Sequence, residues 1–351
     1  MESKKISLQD IADRAHVSKG LVSKVINNRP VRVSDQKREE ILRIAADLDY
    51  EPSGQVLKCA PIPTMNKTIG VILPDLRYGF MGLLADTITK IAYENGYSVL
   101  MFNSKEDRAL EQRYLDLCST LHVAGIILDS RNSASSTGNL ERLTQQSIPI
   151  VFVDCYPYNS VHSVVSSRNR EYMFKLTESL IQRCHKQILS IVQDSSALTN
   201  VSMERIKGYY DAMDKYGLFG YNEIIYPKRD YQEQPVYTLM NSSIEFTAFI
   251  IQTASDVHHF IRLVPYTKYK DIASYELGVF DDFDVSFSEM QLGSRKDVLN
   301  RIVSVVAQRP KEIAEKAVHN IITQIKRGSD ISPVRILVDC DLYSFDKGGL
   351  V

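Results

Sequence analysis

Five residues near the amino terminus, Lys19, Gly20, Ser23, Lys24 and Asn27, are small, polar or basic, and Leu21, Val22, Val25 and Ile26 are interleaved with them. Wound as a helix, the apolar four gather on one face and the polar five on the other. A face of that composition can hydrogen-bond base edges and neutralise phosphates, which are the two tasks of a major-groove reader. Ser18, just ahead of the run, can cap the helix and belongs to the same candidate surface. Periodicity alone is equally satisfied by the solvent side of an ordinary three-helix bundle.

The elements around this run decide how it would be held. Ser7 can cap a preceding helix, with Asp10 reaching back from its third position. Leu8, Ile11, Ala12 and Ala15 follow at helical spacing. Only His16, Val17 and Ser18 separate that helix from the polar-faced one. A third helix is expected from Ser34, with Ile41, Leu42, Ala45 and Leu48 turned inward. Three short helices on one small core predict a helix-turn-helix domain over residues 1–52.

Residues 53–65 contain Gly54, Pro61 and Pro63, and two prolines so close prevent a continuous helix. From residue 66 the pattern changes to short apolar runs alternating with amphipathic helical stretches. The runs are Ile69–Leu73, Ser98–Phe102, Gly125–Leu128 and Pro149–Val153, then Gln187–Val192, Thr247–Ile251 and Ile272–Tyr275. That alternation predicts an α/β body, residues 66–351, built of parallel sheets with helices on both faces. A ligand of such sheets sits at the carboxyl ends of the strands, and with two sheets the crevice between them is the default place.

Bulk composition agrees and excludes other classes. The 351 residues are 44% apolar, enough for a large core, and the net charge is −1. Residues 1–60 hold 11 Lys and Arg against 9 Asp and Glu, so the mild basic excess lies in the head. The five cysteines are scattered with no Cys-x-x-Cys pair, which predicts reduced thiols and no metal site. His258 and His259 are adjacent, about 100° apart on a helix, so they do not form an i, i+4 ligand pair. No dinucleotide fingerprint, phosphate-binding loop or nucleophile elbow occurs, so neither an enzyme nor a cofactor is expected. No apolar run reaches membrane-spanning length and no secretory signal opens the chain, which predicts a cytoplasmic protein without membrane partners.

The string Leu8-Gln9-Asp10-Ile11-Ala12, Val17-Ser18, Val22-Ser23-Lys24-Val25-Ile26-Asn27, Val33-Ser34 and Leu48-Asp49-Tyr50-Glu51-Pro52 closely resembles the amino-terminal headpiece of the LacI/GalR repressors. The body resembles the same family, whose fold is that of periplasmic sugar-binding proteins. The marks are Ile69-Gly70-Val71-Ile72 with Pro74-Asp75, Ala124-Gly125-Ile126-Ile127, Pro149–Asp154, Arg205 with Gly208-Tyr209, Thr247-Ala248-Phe249, Ser255-Asp256 and Val279–Asp282.

The resemblance implies a repressor that binds double-stranded operator DNA as a homodimer and senses a small molecule. Lys19 and Gly20 fall where the family reads bases, and Gly20 offers no side chain for reading. Lys24 stands where an arginine is usual and cannot make the planar bidentate fork to guanine. In the hinge, a leucine in this family wedges into the minor groove. Here Cys59 holds that position, and Leu57 lies two residues earlier.

In the body, the family's effector positions fall on Asp154, Arg205, Ser255 and Asp281. Tyr78, Phe80 and Phe280 could supply an apolar platform for a ring. Carboxylates with one arginine suit a sugar, a sugar derivative or a nucleoside. The resemblance also implies three crossings between lobes of roughly 66–167 plus 310–330 and 168–309 plus 331–351. Several family positions are altered: Ser166-Ser167-Arg168-Asn169 follows the crossover strand, Cys184-His185 replaces Gly-His, and Val338-Asp339-Cys340-Asp341 lacks an arginine. A dimeric repressor that has lost effector binding is the alternative those changes leave open.

Overall fold

The computed structural model describes residues 7–26, 31, 33–48, 66–76, 79–130, 137–157, 160–193, 199–225, 231–280, 300–328 and 332–345. The chain divides into two units, Met1–Pro63 and Thr64–Val351, each with its own core.

In the head, α1 spans Leu8–Ala15, α2 Lys19–Ile26 and α3 Asp35–Asp47. The expected capping box forms: Ser7 Oγ accepts from the Asp10 amide, and the Ser7 amide donates to Asp10 Oδ2 at 2.7 Å. His16 ends α1 in the left-handed region at φ 52. Ser18 Oγ accepts from the Leu21 amide at 3.2 Å and starts α2. Ser34 Oγ accepts from the Lys37 amide at 3.3 Å and starts α3. Ile11, Ala12, Ala15, Val22, Val25 and Ile41 are fully or almost fully buried together. Leu42, expected inward, is 47% exposed. Ile44 packs on the core instead, because Ile41, Ile44, Ala45 and Leu48 share one face while Leu42 is turned about 100° from Ile41.

The body holds two six-stranded sheets. The first contains β1 (Thr68–Leu73), β2 (Ser98–Asn103), β3 (Gly125–Leu128), β4 (Ile150–Val153), β5 (Ser163–Ser167) and β11 (Arg335–Val338), in the order β11-β5-β4-β3-β1-β2, all parallel. The second contains β6 (Ile188–Gln193), β7 (Tyr221–Ile225), β8 (Ala248–Ile251), β9 (Glu276–Phe280), β10 (Ile302–Ala307) and β12 (Asp341–Ser344), in the order β12-β10-β9-β8-β6-β7. Only β12 in that sheet pairs antiparallel.

Strand period 2 sends alternate residues to opposite helical layers. Val71, Leu73, Ile127, Val151 and Val153 meet α4 (Gly79–Glu94) and the helix α11 (Pro310–Arg327). Ile72, Ile126, Leu128 and Phe152 meet α5 (Arg108–Leu121) and α6 (Thr137–Gln145). In the second sheet, Leu189, Ile191, Phe249 and Leu277 pack toward α9 (Pro235–Met240) and α10 (Ala254–Leu263). Ile188, Ala248, Ile250 and Phe280 pack toward α7 (Asn169–Gln182) and α8 (Asn200–Lys215).

Two expectations are corrected. The run Ile272–Tyr275 is not a strand: Ile272–Ser274 is a 3₁₀ turn, with Asp271 Oδ1 accepting from the Ala273 amide at 3.1 Å. The strand follows at Glu276, and an apolar run after an aspartate reads as either. The stretch before the last crossing also changes lobe. β11 pairs with β5 of the first sheet, Arg335 opposite Val164 and Val338 opposite Ser167, and Val338 is buried in that lobe's core. The crossings therefore fall between β5 and α7, β10 and α11, and β11 and β12.

One tight approach fixes the second lobe. A Cβ on Gly208 of α8 would sit 2.1 Å from the Arg170 carbonyl oxygen of α7. Gly208→Ala is expected to force these helices apart and lower the body's stability by at least about 2 kcal/mol, read from urea unfolding. Gly20→Ala meets nothing within 4 Å. It should instead stabilise the head, by about 0.5–1 kcal/mol, through helix propensity.

Candidate DNA-reading face and inter-lobe crevice

The polar face of α2 is presented as its periodicity requires. Ser18, Lys19, Gly20 and Lys24 are exposed, Ser23 is half-buried, and Val22 and Val25 are buried beneath them. No acidic residue lies in the first turn of α2. Gly20 faces open space, so a partner's backbone can approach the helix closely there. Asn27, Leu57 and Cys59 lie outside the described residues.

In the body, β5 runs directly into α7 of the second lobe, and β10 runs into α11 of the first. The carboxyl ends of both sheets therefore open toward the crossings. On the first lobe these ends carry buried Asp75, Asp129 and Asp154, after β1, β3 and β4 respectively. Oxygens of Asp129 and Asp154 and the sulfur of Cys155 lie within 4.8 Å of one another. Asp154 sits at φ 54, an unfavourable backbone for most residues that Asp tolerates better. Its amide donates to the Val165 carbonyl at 3.0 Å, which holds it there. Cys155 Sγ lies 3.7 Å from Asp154 Oδ2, while the buried Oδ1 has no hydrogen-bond partner among the described residues.

The second lobe answers with Arg205 on α8. This side chain is buried, and Phe280 at the end of β9 lies 4.0 Å below its guanidinium. Nε donates to Asn169 Oδ1 at 2.8 Å and Nη1 to the Gln252 carbonyl at 2.5 Å. Arg205 and Phe280, predicted separately, are thus brought together. Asn169 and Gln252, which sequence reasoning did not single out as ligands, complete the arrangement. The lobes touch directly where the Tyr156 amide donates to Asn200 Oδ1 at 2.9 Å.

Phe80, in the first turn of α4, is instead a core residue, in one cluster with Met81, Leu84 and the strands of the first sheet. Ser255 lies in α10, and its side chain is outside the described residues, as are Tyr78 and Asp281. Glu111 of α5 was not anticipated. Ser130 Oγ, one residue past Asp129, donates to its Oε1 at 3.0 Å, and burial pushes the carboxyl up to about 7. The described cysteines form no disulfide; Cys118, Cys155 and Cys340 are buried and Cys184 is exposed. Among the described residues, no helix is long and apolar enough to cross a membrane.

Comparison with known proteins assigns both units. Residues 7–53 match the model for bacterial regulatory proteins of the lacI family. Residues 66–261 match the model for periplasmic binding proteins and the sugar-binding domain of the LacI family. The transcriptional regulator DegA of Bacillus subtilis is 28% identical over 218 residues, covering 61% of this chain and 62% of DegA. The sucrose operon repressor of Pediococcus pentosaceus is 33% identical over 152 residues, 43% of this chain and 44% of that protein. The chain thus spans less than two thirds of the length of these relatives. The structure of the transcriptional regulator CelR in complex with cellobiose superposes with a TM-score of 0.65 at 18% identity, over 98% of this chain and all of that one, a likeness of fold.

Glu111 gives this part of the crevice a pH signature. Unfolded, its carboxyl ionises near 4.5; folded, it keeps its proton up to about 7. The folded state holds the extra proton across that window, so stability falls as pH rises through it. Glu111→Gln preserves the acceptor for Ser130 and removes the fall. Above pH 7 the variant should exceed the parent by up to about 3 kcal/mol. Urea unfolding of both at pH 5 and pH 7.5 checks this, and parallel behaviour would contradict it.

Proposed function

Because the chain belongs to the LacI family of bacterial regulatory proteins, we propose that it is a sequence-specific DNA-binding repressor whose operator affinity is set by a sugar-like molecule held between the two lobes of its body. LacI-family regulators are not enzymes, in keeping with the missing catalytic strings. The proposed assembly is a homodimer working in the cytoplasm. Its two heads would address the halves of a pseudo-palindromic operator.

In the DNA role, Lys19 and Lys24 supply phosphate or guanine contacts, and Ser18 and Ser23 supply hydroxyls. Gly20 permits close approach, and Asn27, Leu57 and Cys59 are assigned to the same role from the sequence. In the effector role, one observation carries the reading: the buried Asp154 Oδ1 has no donor among the described residues. A buried carboxylate oxygen left so is costly, and a ligand hydroxyl would satisfy it. Asp129 stands beside it as a second acceptor. Asp281 and Ser255 belong to the proposed pocket by family position, and Tyr78 as an apolar platform for a ring. Ligand and operator would be coupled reciprocally, each altering the affinity of the other.

One observation favours the second reading, a dimeric repressor that no longer takes an effector. Arg205 is already engaged by Asn169, the Gln252 carbonyl and Phe280. An arginine so occupied serves the lobe's own structure and has little left for a ligand.

Thermal unfolding of the purified chain against a panel of mono- and disaccharides separates the two. A sugar at a hundredfold excess over its dissociation constant raises stability by about 2.7 kcal/mol. Asp154→Asn should abolish that gain; no response to any sugar would favour the effector-blind repressor. For the head, Lys19→Ala should weaken operator binding and, where Lys19 meets phosphate, reduce the slope of log affinity against log salt by about one. An unchanged affinity and slope would remove Lys19 from the interface.

A further inference from the structure

Asp129, Asp154 and Cys155 form a ligand set that no cysteine spacing announces, because its members come from the ends of two neighbouring strands. β3 and β4 run parallel with Leu128 opposite Phe152, so Asp129 and Asp154 leave the sheet side by side. One oxygen of each aspartate and the Cys155 sulfur lie within 4.8 Å of one another. That span is close to twice a metal–ligand bond of about 2.0–2.3 Å.

The backbone holds the three in place. Along a regular strand, Asp154 and Cys155 would point to opposite faces. The left-handed φ of 54 at Asp154 breaks that alternation, and Cys155 Sγ comes to 3.7 Å from Asp154 Oδ2. The Asp129 amide donates to the Ile72 carbonyl at 3.0 Å. The Ser130 amide donates to the Cys155 carbonyl at 3.0 Å, which ties the end of β3 to the end of β4. With Asp154 held on Val165, each ligand residue is anchored to a neighbouring strand or to its partner loop. A set so preorganised needs little further ordering to take an ion.

Burial supplies the driving force. Asp129 and Cys155 are fully or almost fully buried, and Asp154 is 6% exposed. Two carboxylates this close, shielded from water, repel each other and lose hydration, and a cation between them offsets both effects. A neutral hydroxyl donates one hydrogen bond and leaves the charge. The second observation is separate from the spacing: Asp154 Oδ1 is buried with no hydrogen-bond partner among the described residues.

Cys155 decides which ion fits. Mg²⁺ and Ca²⁺ select oxygen ligands. One thiolate with two carboxylates suits a borderline cation such as Zn²⁺, and three protein ligands leave its fourth position open.

We propose that Asp129, Asp154 and Cys155 bind one divalent cation of the zinc class, whose fourth position takes water or a hydroxyl of the crevice ligand. This rests on reading the crevice as the ligand pocket, and it adds an ion to that pocket. On binding, a metal–sulfur bond replaces the Cys155 S–H bond, and the proton leaves to solvent.

The test is titration of the full chain, stripped with a chelator and then freed of it, with Co²⁺ as the absorbing substitute for Zn²⁺. The expected result is one saturable equivalent per chain with a thiolate-to-cobalt charge-transfer band in the near ultraviolet. Zn²⁺ displaces it and Mg²⁺ does not. Cys155→Ala should abolish the band. Asp129→Asn should keep the band and weaken binding about tenfold or more, as even the loss of an outer partner of a metal site does. Metal-free unfolding curves that match the parent verify the fold of each variant, and the two variants test the site independently. Absence of the band in the parent overturns the proposal. So does a band that persists in Cys155→Ala, or a cobalt affinity unchanged in Asp129→Asn. The titration contains no sugar, and the sugar panel, run once with chelator and once with Zn²⁺, judges the effector reading separately.

Discussion

Everything in the body depends on one topological constraint: a single chain must cross three times between two sheets. At the seam the crossings are bonded to each other. Ser167 Oγ donates to Gln308 Oε1 at 2.8 Å, and the Arg168 amide donates to the Val338 carbonyl at 3.0 Å. Arg168 pairs with Asp339, and Arg309 grips Asp341 through Nε at 2.9 Å and Nη2 at 2.5 Å. The side chains of these ion pairs are 38–58% exposed, so each pair contributes roughly 0–1 kcal/mol. They set the register of the crossings without dominating stability.

Stability comes from four apolar clusters, two in each lobe, one on either face of each sheet. Each fully buried Ile, Leu, Val or Phe contributes about 1.5–3 kcal/mol relative to exposure, far more than any bond at the seam. Each lobe is therefore a rigid unit, and the cheapest part of the body to rearrange is where the crossings meet. A ligand that bridges the seam needs only a few kcal/mol of differential affinity to shift the balance between two lobe arrangements. The crevice at Asp154 adjoins that seam.

The head was legible from sequence because each of its helices carries a local stop or start. Ser7 with Asp10, Ser18 and Ser34 cap where the string places them. Leu42 is apolar in type but turned about 100° from Ile41 on α3, so type without helical angle does not place it. In the body, β1 and β3 were legible as continuous apolar runs, as strands buried on both faces are. β11 was not, because it is an edge strand whose Arg335 and Leu337 face outward. The partnership of Arg205 with Asn169, Gln252 and Phe280 joins residues far apart in the chain, and no local pattern announces it. The same holds for Arg335 over Tyr156, which depends on β11 joining the first lobe.

The central claim is that the two units together make a repressor addressing a two-fold DNA site. The most direct measurement is selection of bound duplexes from a random pool by the full-length chain, followed by sequencing. The account predicts enrichment of inverted half-sites at a fixed spacing, with binding that weakens steeply as salt rises. A pool that stays random, or that yields single unpaired sites with salt-insensitive binding, would contradict it.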